Sequence, residues 1–223
     1  MERRTRTYDH FCMLARALEQ VGDRWTLLIV RDLLGGPRRF TDLMALLGGI
    51  TPATLSRRLR ELEAAGIVAV DRAPGRREVW YRLTPAGGDL APAVRALFQW
   101  GFRHARRPPA PGETVHPEHL LRAVRTAIAA GPAPGGPLVW HIRCTDDGNY
   151  TLAFDGSAWT LTTRLEDADP DVEVTSTSDT LTRFLMAPPD ERAHIPPGIE
   201  LAGRPDDTDQ LLRLLARFPA NLG

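Results

Sequence analysis

Apolar residues in the first hundred positions recur mostly at helical spacing. Phe11, Leu14, Ala15, Leu18 and Val21 stand at i, i+3, i+4, i+7 and i+10, which gathers them on one face of a helix. Asp23 sits where a carboxylate caps a second helix carrying Trp25, Leu28, Ile29 and Leu33, and Gly35-Gly36-Pro37 ends that helix. Thr41 opens a short helix through Leu47. Thr51 followed by Pro52 is a cap plus first-turn proline for a helix reaching about Ala65, closed by Gly66. The period then falls to two. Val68 and Val70, then Val79, Tyr81 and Leu83, with Pro74-Gly75 between them, predict a β-hairpin. Thr84-Pro85 begins a long helix with Leu90, Val94, Leu97 and Gly101 along one side.

The remainder mixes both periods. Leu120, Val124 and Ile128 predict a helix, whereas Leu138, Trp140, Ile142 and Cys144 alternate, as do Tyr150, Leu152 and Phe154, then Trp159 and Leu161. Asp147-Gly148 and Asp155-Gly156 fall at the joins, so an antiparallel meander is expected, extended by Val172 and Val174. Leu181, Phe184 and Leu185 mark a helix, Ile199 and Leu201 a short strand, and Leu211 to Phe218 a closing helix. The whole reads as α+β. The proline- and glycine-rich run from Arg106 to Gly112 divides it, giving expected domains at 1–107 and 117–223 with a linker at 108–116.

Composition adds one decisive number. The 223 residues are 43% hydrophobic and 25% charged with no net charge, which excludes disorder as the main state. Residues 1–107 nevertheless hold 19 Arg against 11 acidic residues, and residues 108–223 hold 9 against 17. A basic half implies an anionic partner, nucleic acid being the commonest. No apolar run approaches a membrane span and the start lacks the apolar core of a signal peptide, so a cytoplasmic location without membrane contact is expected. Cys12 and Cys144 lie far apart, which fits reduced thiols rather than a disulfide framework or a metal cluster.

In the helix from Thr51, Leu55, Leu59 and Leu62 form the buried stripe, leaving Ala53, Ser56, Arg57 and Arg60 on the other side. About 14 residues span about 21 Å, and the N-terminal half of such a helix fits the major groove of double-stranded DNA. Arg57 is placed to pair with a guanine edge, Thr51, Thr54 and Ser56 to contact bases or phosphates, and Arg60 to support them. Arg38 and Arg39 suit phosphates, and the hairpin residues Arg72, Arg76 and Arg77 suit the adjacent backbone or a minor groove. The plainer alternative is a solvated face with pairs such as Arg57 and Glu61.

Cys12, Gly22-Asp23-Arg24-Trp25, Arg39-Phe40-Thr41-Asp42-Leu43, Ile50-Thr51, Leu55, Arg58-Leu59, Leu62, Gly66-Ile67-Val68, Tyr81-Arg82-Leu83-Thr84, Gly87 and Trp100-Gly101 together resemble the HxlR family of winged-helix bacterial regulators, over about residues 8–105. The resemblance implies a winged helix-turn-helix, mainly α with a β-hairpin wing. It also implies a homodimer joined through the first and last helices of the domain, acting on a pseudo-palindromic operator as a repressor or sometimes an activator. Several such regulators sense oxidants or electrophiles through a cysteine placed like Cys12; the alternative is a small packing residue at the dimer seam.

Asp169-Pro170-Asp171-Val172, Thr180-Leu181, Phe184-Leu185 and Gly198-Ile199-Glu200-Leu201-Ala202-Gly203 resemble the sterol carrier protein type-two-like fold, over residues 117–223. That resemblance implies an α+β domain enclosing an apolar cavity for a hydrophobic small-molecule effector. Trp140, Phe154, Trp159, Phe184, Leu185 and Met186 are the candidate wall, or else plain core. Scattered histidines and the lack of a nucleophile, phosphate or dinucleotide motif predict no catalytic residues, no metal, no cofactor and no enzyme. The expected protein is a ligand-responsive regulator. Its rivals are a DNA-binding protein with a merely structural second domain, sensing through Cys12 or nothing, and a carrier or enzyme with a vestigial helix-turn-helix.

Overall fold

The structure, a computed structural model, describes residues 8–72, 78–188 and 191–218. The chain forms two compact units that divide between Ala105 and Arg106. In the first, α1 (Met13–Val21), α2 (Thr26–Leu33), α3 (Phe40–Leu47) and α4 (Pro52–Ala64) precede a small sheet, and α5 (Pro85–Gly88) and α6 (Ala91–His104) follow it. The strands are β1 (Arg38–Arg39), β2 (Val68–Asp71) and β3 (Trp80–Leu83). The core is the set of leucines, isoleucines and valines that the periodicity isolates: Ile29, Val30, Leu43, Leu55, Leu59 and Leu62 are at most 2% exposed.

Local signals explain most boundaries. Thr51 Oγ1 accepts from the Thr54 N–H at 3.2 Å, Pro52 takes the first turn of α4, and Gly66 turns the chain out at φ +70°. Three details differ from the sequence reading. Arg39 rather than Thr41 precedes α3, and Asp42 reaches back to accept from the Arg39 backbone N–H at 2.9 Å. The hairpin gains a third strand, since β1 pairs antiparallel with β3, Arg38 opposite Tyr81 and Arg39 opposite Trp80. The single long helix expected after Thr84 is two, because Gly87-Gly88 weakens the first piece and Pro92 restarts the second. Gly87 also packs so closely on β2's approach that a Cβ there would collide with the Ile67 carbonyl oxygen. The turn expected at Pro74-Gly75 lies outside the described residues.

The second unit packs α7 (Pro117–Ala129), α8 (Ser178–Met186) and α9 (Pro205–Leu215) with a five-stranded sheet. Its strands are β4 (Leu138–Cys144), β5 (Asn149–Phe154), β6 (Trp159–Thr162), β7 (Val172–Ser176) and β8 (Ile199–Gly203), in the order β6-β5-β4-β7-β8. The expected meander is present, but the sheet is mixed rather than antiparallel: β7 lies parallel to β4, with Trp140 opposite Val172. Two antiparallel steps leave β6 running in the same sense as β4, and residues 163–171 then bring the chain back to the start of that direction. Thr151 holds this crossover, donating to the Arg164 carbonyl at 2.9 Å and accepting from the Glu166 N–H at 3.1 Å. One face of the sheet, through Trp140, Leu152, Val172 and Val174, is buried. The closing helix begins at Pro205, earlier than its leucines suggest, with Asp206 and Asp207 in its first turn, where carboxylates favour a helix start.

Candidate functional site

Leu55, Leu59 and Leu62 turn α4 toward the core, so its opposite side is what the first unit presents. Thr51, Pro52 and Ala53 are exposed at its N-terminus, Thr54, Ser56 and Arg57 are half-buried, and Arg60 is exposed. Arg57 Nη1 donates to Glu61 at 2.9 Å and Arg60 Nε to the Ser56 carbonyl at 3.3 Å. Both contacts are local. With side-chain exposures of 43% and 45%, the Arg57–Glu61 pair is a screened surface pair worth less than about 1 kcal/mol. Its existence matches the plainer alternative, yet so weak a pair yields readily to a phosphate or a base.

The other arginines surround that helix with unequal attachments. Arg39 binds Asp42 and Glu78 at 3.1 and 3.3 Å and lies 5.6 Å from the Trp80 ring. Burial alone would push the Asp42 carboxyl up, but its hydrogen bonds from Arg39 hold it below the ordinary value. Arg38 is half-buried. Arg72 reaches back to Glu63 of α4 at 3.0 Å. Arg76 and Arg77 lie outside the described residues.

Arg58 plays a part that the sequence motif alone did not reveal. Only 13% of its side chain is exposed, and it pairs with Asp23 and with Glu61. Asp23 is not the cap the sequence suggests, since Trp25 occupies that position without a side-chain bond; instead Asp23 Oδ1 accepts from the Trp25 N–H at 3.0 Å, so one carboxylate fixes the turn ahead of α2 and holds α4. The signal was the carboxylate in Gly22-Asp23-Arg24-Trp25; its partner, 35 positions away in sequence, has no local mark.

Apolar side chains remain uncovered on two helices of this unit. Phe11 just before α1 is 83% exposed and Leu14 67%, while Leu97 and Trp100 of α6 are 54% and 60%. Cys12, the N-cap residue of α1, is half-buried. Cys144 in the second unit is buried, and burial pushes its thiol up to about 11.

In the second unit a wholly apolar cavity of about 30 Å³ lies between sheet and helices. Trp140, Phe184 and Leu185 line it, as does Val124. Phe154 and Trp159 are buried in an aromatic cluster with Trp140, ring centroids 5.3 and 5.2 Å apart, and belong to the packing beside the cavity rather than its wall. Met186 is half-buried at the end of α8, also away from it. The Trp140 indole N–H is buried without a partner. Among the described residues no group of three or more His, Cys, Asp or Glu is placed to hold a metal ion, and no helix is long and apolar enough to cross a membrane.

Comparison with known proteins bears on the first unit. Residues 20–108 match the family described as HxlR-like helix-turn-helix. The chain is 48% identical over 101 residues to the uncharacterized HTH-type transcriptional regulator Rv3095 of Mycobacterium tuberculosis (strain ATCC 25618 / H37Rv), covering 44% of this chain and 62% of that relative. It therefore spans somewhat less than two thirds of that relative's length. It is 36% identical over 107 residues to the uncharacterized HTH-type transcriptional regulator YkvN of Bacillus subtilis (strain 168), covering 46% of this chain and 89% of YkvN. Among solved structures, the redox regulator HypR in its reduced form is similar at 29% identity with a TM-score of 0.40, over 42% of this chain and 94% of HypR.

Proposed function

Because the chain belongs to the HxlR-like helix-turn-helix family through its N-terminal region, we propose that it is a dimeric DNA-binding regulator of transcription, probing its operator with α4. The observation that carries this reading is the division of α4 into a leucine side under 3% exposed and an arginine side held only by weak, local pairs. Arg57 and Arg60, with Thr51, Thr54 and Ser56, meet bases and nearby phosphates; Arg38, Arg39 and Arg72 meet the flanking backbone. The uncovered apolar residues of α1 and α6 support a homodimer, which a helix-turn-helix protein needs to engage two half-sites about 34–36 Å apart.

The second unit is, in this reading, a sterol-carrier-like domain for a hydrophobic effector, and its apolar cavity of about 30 Å³, well below the roughly 150 Å³ that accepts benzene, has to widen to receive one. A ligand that binds one state of the dimer better than another shifts operator affinity by that difference and no more. Repression is the direction proposed. Accessible Cys12, set against buried Cys144, favours a second reading in which oxidation at Cys12 supplies the signal and the second domain is structural.

Selection of random DNA duplexes by the purified full chain tests the main reading. A recovered pseudo-palindrome, bound with an affinity that falls steeply with salt, is the expected result. The Leu14→Asp variant should sediment as a monomer and lose that binding. Recovery of no sequence preference would reject α4 as a reading helix.

A further inference from the structure

Glu61 stands at the edge of the arginine side of α4. At about 100° per residue it projects about 40° round the helix from Arg57 and about 60° from Arg58, so it lies between their lines. Both neighbours bind it. Its Oε2 pairs with Arg58 Nη1 at 2.8 Å, and its Oε1 accepts from Arg57 Nη1 at 2.9 Å. Arg58 is held in turn by Asp23, which the Trp25 N–H fixes. A chain of charged contacts thus runs from the turn ahead of α2 to a guanidinium on the side of α4 assigned to DNA. An acidic side chain beside that face opposes the approach of a polyanion, and this calls for a reason.

Two features separate this carboxylate from an ordinary surface partner. It is not at liberty to follow Arg57, because Arg58, with only 13% of its side chain exposed, holds the other oxygen. The second feature is what the pair leaves unused. It engages Nη1 of Arg57, while Nε and Nη2 have no partner among the described residues. Those two N–H groups form one of the forks that match O6 and N7 of guanine, so Arg57 can keep Glu61 and read a base at the same time. A phosphate is a different partner. Arg57 reaches one only by leaving Glu61 or by bringing two anions together, and the second course is repulsive.

We propose that Glu61 is a specificity-determining residue, which directs Arg57 to base edges and opposes its use on phosphates. Discrimination then comes from a repulsive element set beside an attractive one. This rests on the reading of α4 as the helix that meets the duplex, and adds to it how that helix separates an operator from bulk DNA. The ordinary role of an i, i+4 pair, a small aid to the helix, carries no such discrimination.

Binding of the full-length Glu61→Gln variant to the operator recovered by selection, and to a random duplex of the same length, tests it across a salt series. Affinity for the random duplex should rise by about threefold while operator affinity stays within about twofold, so the ratio between them falls, by at most about the fivefold that a surface ion pair is worth. The salt slope on the random duplex should steepen by up to about one, as Arg57 gains a phosphate. In an Arg57→Ala background the same substitution should leave the ratio unchanged, because Glu61 acts through Arg57. Urea unfolding establishes that Glu61→Gln is folded; if it is not, Glu61→Ala, which installs the strongest helix former, gives the same readings. A loss of both affinities with the ratio held makes Glu61 a prop of the helix and overturns the proposal. So does a ratio unchanged by Glu61→Gln, or one that falls equally without Arg57; each of these leaves α4 as the reading helix. An unmodified chain that prefers no duplex overturns both readings.

Discussion

The surface arginines around α4 in the first unit and Arg192 in the second are anchored in opposite ways. On α4 and around it, half-buried Arg57 and exposed Arg72 and Arg39 lie at the surface, each beside a carboxylate that water already screens. Arg192 in the second unit is enclosed, donating to the Leu215 and Phe218 carbonyls with its guanidinium beside the Phe218 ring. The first kind can change partners at little cost, since each existing pair is worth less than about 1 kcal/mol. The second kind is committed to the end of α9, and removing it would leave those carbonyls without their cap. The first kind is therefore suited to a polyanion met at the surface, the second to holding its own fold together.

The sharpest way to divide the two units is to damage one core. Trp140 is 1% exposed, and Trp140→Ala should cost about 3–5 kcal/mol. Scanning calorimetry should show only the second unit's transition falling; a single shared transition that falls as a whole would make the contrast between units one within a single cooperative body. Next in size, Arg57→Ala and Arg60→Ala should each weaken specific DNA binding by about 1–3 kcal/mol while leaving the urea midpoint nearly unmoved. A large loss of stability instead would mean that these side chains serve the fold. Smaller again, Thr51→Ala removes the α4 cap and should lower stability by about 1 kcal/mol in urea unfolding. The least perturbing test is alkylation by iodoacetamide at pH 8. Cys12 should react first, and Cys144, buried and with its thiol pushed up to about 11, should react only on unfolding.

What was readable in the residues follows how local each cause is. Thr51-Pro52, Gly66 and the leucine stripe between them define α4 within a single stretch of chain, and the structure follows them closely. β1 is two residues long, too short to show any period, and exists because β3 offers it an edge. The parallel pairing of β7 with β4 depends on where a nine-residue crossover lands, which alternation in either strand does not encode. Half of the candidate cavity wall lines the cavity and half packs beside it, since an aromatic residue on the buried face of a sheet has the same pattern either way. Arg192 had no signal at all. It lies in an irregular segment, and only the end of α9 folding over it gives it a role.

Asp23 has a mechanical consequence. It directly follows Gly22, the C-cap of α1, and its carboxylate is tied to the Trp25 N–H ahead of α2 and to Arg58 in the middle of α4. In the proposed dimer, a torque on α1 would reach the proposed reading helix through the Asp23–Arg58 pair as well as through the packed core. On that reading, loosening the Asp23–Arg58 contact would change how α4 is held relative to α1.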